Sequence, residues 1–161
     1  MADRSILGPA DVSYAALAAM VAADRGLDPS GVTVLSSTVE EVAYDLPAIT
    51  TAGRYWVRGT ATADDEPWPF QLFVKHVQSW SRSPMFAMVP DDMREQAATS
   101  VPWRTEPLAY RSDLAARLPE GLRMARCLGV FDLDELSASV WLEKVPAHPA
   151  LWDAERFARA A

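Results

Sequence analysis

Phe70-Gln71-Leu72-Phe73-Val74-Lys75-His76-Val77 reads as an apolar strand with a lysine set into it. Side chains alternate along a strand, so Phe73, Lys75 and Val77 share one face. An ammonium on an apolar face needs an anionic partner or ligand, because burying it unpaired is costly. Glu106 is the candidate partner. If the segment it heads is helical, Glu106, Tyr110, Leu114 and Leu118 recur every four residues on one stripe. A carboxylate on an inward stripe mirrors the lysine's problem. Each residue also has an ordinary reading. Lys75 can bury its stem and keep its head in water, and Glu106 can serve as a helix N-terminal acid favoured by the dipole.

Outward from the lysine strand, the pattern predicts an α+β domain. Residues 10–25 read as a helix, with Pro9 in the first turn, a stripe of Tyr14, Leu17, Met20 and Val21, and Gly26 as its stop. Residues 32–44 and 54–63 read as strands, and Asp64-Asp65-Glu66-Pro67 as a turn into the lysine strand. Three strands with short joins predict an antiparallel meander. Residues 78–101 read as a long loop with one helical turn near 92–98. A helix over 104–118 follows, then strands over 122–131 and 138–145 around a turn at 132–137. Asp153 predicts the cap of a last helix, with Trp152 and Phe157 as a hydrophobic staple. That helix has about two turns, short for one standing alone, so the chain reads as if cut within a larger domain. The expected architecture is a five-stranded antiparallel sheet with the 104–118 helix against it and the N-terminal helix outside.

The series Phe73-Val74-Lys75, Trp103 to Ser112 with Glu106, Leu118 to Gly129, Val140 to Val145 and Trp152 to Phe157 resembles the N-terminal lobe of a kinase-like phosphotransferase. More specifically, it resembles the aminoglycoside phosphotransferase superfamily, over about residues 32–161. The resemblance implies a helical segment at 1–31, an ATP-binding lobe at 32–146, and a hinge opening a helical lobe at 147–161. It implies that Lys75 contacts the α- and β-phosphates of ATP and that Glu106 holds Lys75, both as electrostatic positioning within the catalytic machinery. It implies a phosphate loop around 49–53, with Thr50, Thr51 and Gly53, and a hinge backbone from Glu143 to Val145 that pairs with adenine. Magnesium would accompany ATP in a complete enzyme, and a small hydroxyl-bearing substrate would be chosen by the other lobe. The catalytic-loop and metal-binding aspartates belong to that lobe, so this chain alone is not expected to transfer phosphate. The departures are one glycine in the phosphate loop, Lys144 where relatives often carry an acid, and Pro107 where they often carry a small helix former. A second reading is a non-catalytic module that keeps the lobe and pairs with a copy of itself or with a partner lobe.

Composition narrows the alternatives. The net charge is −7, and residues 1–66 hold ten acids against four bases. Such a balance argues against general nucleic-acid binding, which needs basic patches. The middle of the chain is near neutral, and its Lys75, Arg82, Arg94, Arg104 and Arg111 leave room for a local anion site. Cys127 is the single cysteine, so no internal disulfide forms and a cytoplasmic setting is expected. No apolar run reaches membrane-span length, and the first residues lack a signal peptide's layout. His76, His148 and Cys127 make a poor metal set. Asp132, Asp134 and Glu135 lack the glycine and spacing of a calcium loop, and read as a solvated turn.

Overall fold

A three-stranded meander and a separate hairpin, joined by one long connection, build the sheet. A computed structural model describes residues 3–43 and 48–146. β1 (Thr33–Glu41), β2 (Thr51–Ala63) and β3 (Glu66–Gln78) form the meander, and β4 (Cys127–Asp134) with β5 (Ser137–Glu143) forms a second hairpin. All neighbours are antiparallel, in the order β1-β2-β3-β5-β4. The β2–β3 turn is tighter than predicted. Asp64 and Asp65 take φ of 52° and 63°, and Ala63 pairs with Glu66. Two central residues at positive φ make the hairpin turn that matches strand twist, and Asp is among the residues that tolerate it. Glu66 and Pro67 therefore belong to β3. Pro67 and Pro69 remove two backbone donors from this end of the strand, and β5 pairs with β3 only as far as Leu72.

The two faces of the sheet differ. Tyr55, Val57, Leu72, Val74 and Trp141 form the larger core with α1 (Tyr14–Arg25), which adds Leu17, Met20, Val21 and Ala22. The N-terminal helix is thus part of the core, where the sequence reading places it outside. The reading also starts it too early, since the Ser13 hydroxyl accepts from the Ala16 N–H at 3.1 Å and caps the helix there. Residues 5–10 are a separate 3-10 segment, broken at Gly8. Gly26 ends α1 as predicted, in the left-handed conformation.

Val77, Ala138 and Val140 are buried on the other face, that of Lys75. Between the hairpins, 3-10 turns at 80–82, 84–88 and 91–93 lead into α2 (Arg94–Ser100), close to the predicted helical turn. Ser79 and Ser83 hydroxyls cap the first two turns. α3 (Thr105–Arg111) then crosses the Lys75 face. The sequence predicts this helix through 118, but it stops at Ser112, whose ψ is 178°. The Ser112 hydroxyl bonds the Ala109 carbonyl at 2.8 Å and accepts from the Leu114 N–H at 3.1 Å, which offers the backbone an alternative to the helix. Leu114 consequently leaves the inward stripe and is exposed. Among the described residues no helix is long and apolar enough to cross a membrane. The predicted last helix lies outside the described residues, as do Trp152, Phe157 and His148.

Gly59 is needed for space. β1 bulges between Val34 and Ser36, and a Cβ on Gly59 would stand closer than 3.0 Å to the Ser36 carbonyl oxygen and the Phe70 ring. Glycine to alanine within a strand is ordinarily stabilising, so the sign is diagnostic. Gly59→Ala should lower stability by about 1–3 kcal/mol, read from the urea midpoint. A stabilised variant would mean that β1 yields at the bulge.

Candidate functional site

Lys75 and Glu106 meet. The β3 ammonium donates to Glu106 Oε2 on α3, and both side chains are roughly a quarter exposed, at 23% and 30%. Two features of the chain place them together. Strand alternation sends Leu72 and Val74 to the larger core and turns Lys75 to the opposite face. α3 begins at Thr105, so Glu106 lies in its first turn beside the buried Pro107, where proline is tolerated and an acid favoured. Tyr110, one turn on, keeps to the same stripe. Burial, and next the Glu106 charge, raise the Tyr110 phenol above its ordinary value of 10.0.

α3 is held against the second hairpin. Arg111 grips Asp132 with both terminal nitrogens, at 2.9 and 3.1 Å. Arg104 donates to the Glu135 carbonyl at 2.8 Å. Arg82 reaches Asp134 at 2.6 Å and the Ser137 hydroxyl at 3.2 Å. The Arg82 hydrogen bond, more than any other contact, lowers the Asp134 carboxyl from 3.8 to about 2. These pairs correct one expectation. Arg82, Arg104 and Arg111 serve the β4–β5 hairpin, and Arg94 pairs with Asp91 at 2.7 Å, so the central arginines do not form a shared anion site. Asp132 and Asp134 are counter-ions of a docked helix and loop, and both stay exposed, as the reading of a solvated turn has it.

The remaining predicted residues divide between the two faces. Thr51 pairs with Val77 across the sheet and so shares the face of Lys75, while Gly53 pairs with His76 on the opposite face. Both lie inside β2, which starts three residues earlier than the sequence suggests. Thr50 lies just before it, and its carbonyl accepts from the Gln78 N–H at 3.0 Å. The space beside Gly53 is taken by the Tyr55 ring, since a Cβ there would stand closer than 3.0 Å to it. Glu143 ends β5. Its N–H donates to the Arg126 carbonyl at 3.0 Å, and its carboxylate takes Arg123 at 2.6 Å and the Arg126 N–H at 2.9 Å. That backbone bond, followed by the arginine contacts, holds the Glu143 carboxyl below its usual range. Val145, two residues on, is exposed.

Trp56 and Phe73 extend the Lys75 face toward the end of β5, and sequence reasoning assigned them no role. They are cross-strand neighbours with ring centroids 5.1 Å apart, edge to face, and Phe73 in turn pairs with Leu142. Their period-two spacing from Arg54 and Lys75 was the available signal. A groove of about 470 Å³ opens elsewhere, lined by Trp80, Met85, Met88, Met93 and Ala97 among others. It contains no titratable side chain and none of the Lys75-face residues named here.

His76 backs onto the larger core. Burial is the main cause of its lowered pKa, below 6.5, with Asp134 opposing and Arg82 adding to the shift. The folded protein therefore resists a proton that the unfolded chain accepts. The contribution of His76 to stability is fully present above pH 6.5 and falls as the pH drops through the window below it. Urea midpoints at pH 7.5 and about 5.5 should separate in the native protein and draw together in His76→Asn. An equal separation in both would assign the acid sensitivity to other groups.

No family model, curated protein or solved structure matches this chain, so the assignment rests on the arrangement just described: a strand lysine, answered by a helix glutamate, at the border of an aromatic shelf.

Proposed function

We propose that this domain is the ATP-binding lobe of a kinase-like small-molecule phosphotransferase. The observation that carries the reading is the Lys75–Glu106 ion pair, which joins the third strand of the meander to α3, beyond α2 in the chain. In protein kinases a β3 lysine held by a helix glutamate positions phosphates in this way. The same face supports the nucleotide's other end. Trp56 and Phe73 offer aromatic surface to a base, and β5 leaves the sheet at Glu143, beside Leu72 of β3. Phosphates would then lie toward Lys75 and Thr51, with the base toward Leu142 and the exposed Val145.

Lys75 would stabilise charge on the α- and β-phosphates, and Glu106 would fix the ammonium there. Neither group is required to move a proton. Magnesium bound with the nucleotide would supply charge neutralisation at its phosphates. Among the described residues no group of three or more His, Cys, Asp or Glu side chains could hold a metal ion, and none of these residues is assigned as a metal ligand. Transfer itself needs a catalytic-loop aspartate and a metal-binding aspartate from a helical lobe.

The test is a calorimetric titration of ATP, AMP and adenosine, each with magnesium. Saturable binding that tightens with phosphate number supports the reading. Binding of adenosine as tight as ATP, or no binding of any of the three, overturns it.

A further inference from the structure

We propose that the methionine-lined groove between the 3-10 turns and α2 docks the apolar face of a basic amphipathic helix from another protein. The inference is independent of the ATP-lobe reading, because neither Lys75 nor Glu106 lines the groove. Its walls follow from the local sequence. The Ser79 and Ser83 hydroxyls cap two successive 3-10 turns, which supply Trp80, Met85 and Met88. The Trp80 ring is braced edge to face by Phe86, with centroids 5.6 Å apart. The start of α2 supplies Met93, Gln96 and Ala97, whose three- and four-residue steps share one helix face. The volume, about 470 Å³, is that of a binding site and far exceeds a packing void.

Three of the chain's six methionines line this one groove. Met88 and Met93 are 74% and 51% exposed. Apolar side chains exposed singly are ordinary, but several gathered in one concavity mark an interaction surface. Methionine has three rotatable bonds and a polarisable sulfur, so such a groove can reshape around the apolar stripe of a helix. The rim sets the sign of the partner's charge. Asp92 and Glu95 each stand one residue before a lining residue, Met93 and Gln96, and so form the neighbouring stripe. Both are exposed, and neither pairs with a cation among the described residues. Asp91 is already held by Arg94. The rim therefore keeps the negative charges of Asp92 and Glu95, while the groove has none of its own. An acidic helix would be repelled there and a basic one steered in.

The experiment labels the methionine methyl groups with carbon-13 and titrates a helical peptide of about fourteen residues, with leucines at i, i+4 and i+7 and lysines elsewhere. The Met85, Met88 and Met93 signals should shift saturably, while that of Met20, buried in the larger core, stays. The same peptide with glutamates for lysines should bind at least about tenfold more weakly. Met88→Gln with Met93→Gln should weaken the lysine peptide on the order of tenfold. Asp92→Lys with Glu95→Lys should do the same and abolish the salt dependence, whereas Glu66→Lys with Glu120→Lys, the same change of charge elsewhere, should bind as the native chain does. Circular dichroism checks folding; should the methionine pair fail to fold, the two charge pairs carry the comparison. Equal weakening by both charge pairs would reduce the effect to net charge and overturn the docking site. Peptide binding that leaves the three methyl signals in place would overturn it too. So would a groove that ignores the peptide and responds instead to the protein's own concentration, as an interface between copies, or to a neutral fatty alcohol, as an apolar-ligand site.

Discussion

Lys75→Ala should cost on the order of 100-fold in ATP affinity while leaving the protein folded. Both halves of that expectation follow from where the ion pair sits. Removing one member of a charge pair that grips a ligand costs about 2–5 kcal/mol of binding, much of it from the charge left without a partner. Here two charges would be left, Glu106 on α3 and the phosphates of the ligand, and they repel each other. Stability responds differently. With 23% and 30% of the two side chains exposed, water screens the pair, and such pairs contribute about 0–1 kcal/mol to folding. Glu106→Gln, which keeps the shape and removes the charge, should lower affinity less than Lys75→Ala, because the ammonium stays. ATP binding with native affinity in a folded Lys75→Ala would remove the basis of the proposed function.

Trp141→Ala should be the most destabilising single substitution considered, at about 3–5 kcal/mol. That is a large share of the roughly 5–15 kcal/mol by which domains are stable. Trp141 is fully buried in β5, between Val74 on β3 and Gly129 on β4. Gly129 makes room for its neighbours, since a Cβ there would crowd Phe131 and Met20 of α1. Truncating the indole would open a cavity where β4, β5, β3 and α1 meet, and rigid strands on two sides cannot close it. Trp141→Phe should cost far less. Among the described residues the indole Nε1 is buried with no hydrogen-bond partner, so its removal also relieves an unsatisfied donor. Thermal and urea unfolding of both variants measure the contrast. Equal losses would mean that the indole N–H is satisfied after all, by water for instance.

The sequence was most legible where one residue type permits one structure. Gly26 had to end α1, Asp64-Asp65 had to be a turn, and a lysine among Phe73, Val74 and Val77 had to find an acid. The strands followed from β-branched and aromatic runs, although Thr51 and Gly53 were read as loop because a threonine–glycine stretch resembles a turn until its cross-strand partners are known. The helix predicted over 104–118 is longer than α3 because periodicity records which residues could share a stripe. It does not record that the Ser112 hydroxyl competes for the backbone. The arginines of 82–111 were illegible for a related reason. The partners of Arg82, Arg104 and Arg111, namely Asp134, the Glu135 carbonyl and Asp132, sit on a hairpin about 20–50 residues downstream, and charge counted along the chain cannot show which acids the fold will bring near.

The strand order carries a consequence for how the domain assembles. β1–β2, β2–β3 and β4–β5 join segments close in sequence, and such hairpins form on the microsecond scale. The β3–β5 ladder alone joins distant segments, setting Lys75 opposite Val140. Closing it costs the entropy of a long loop before any contact repays it. The meander and the second hairpin are thus two units that can form early and dock late, and Lys75 lies on the seam between them. Whatever anion binds there would act as a clasp, bound only by chains whose two units have already met.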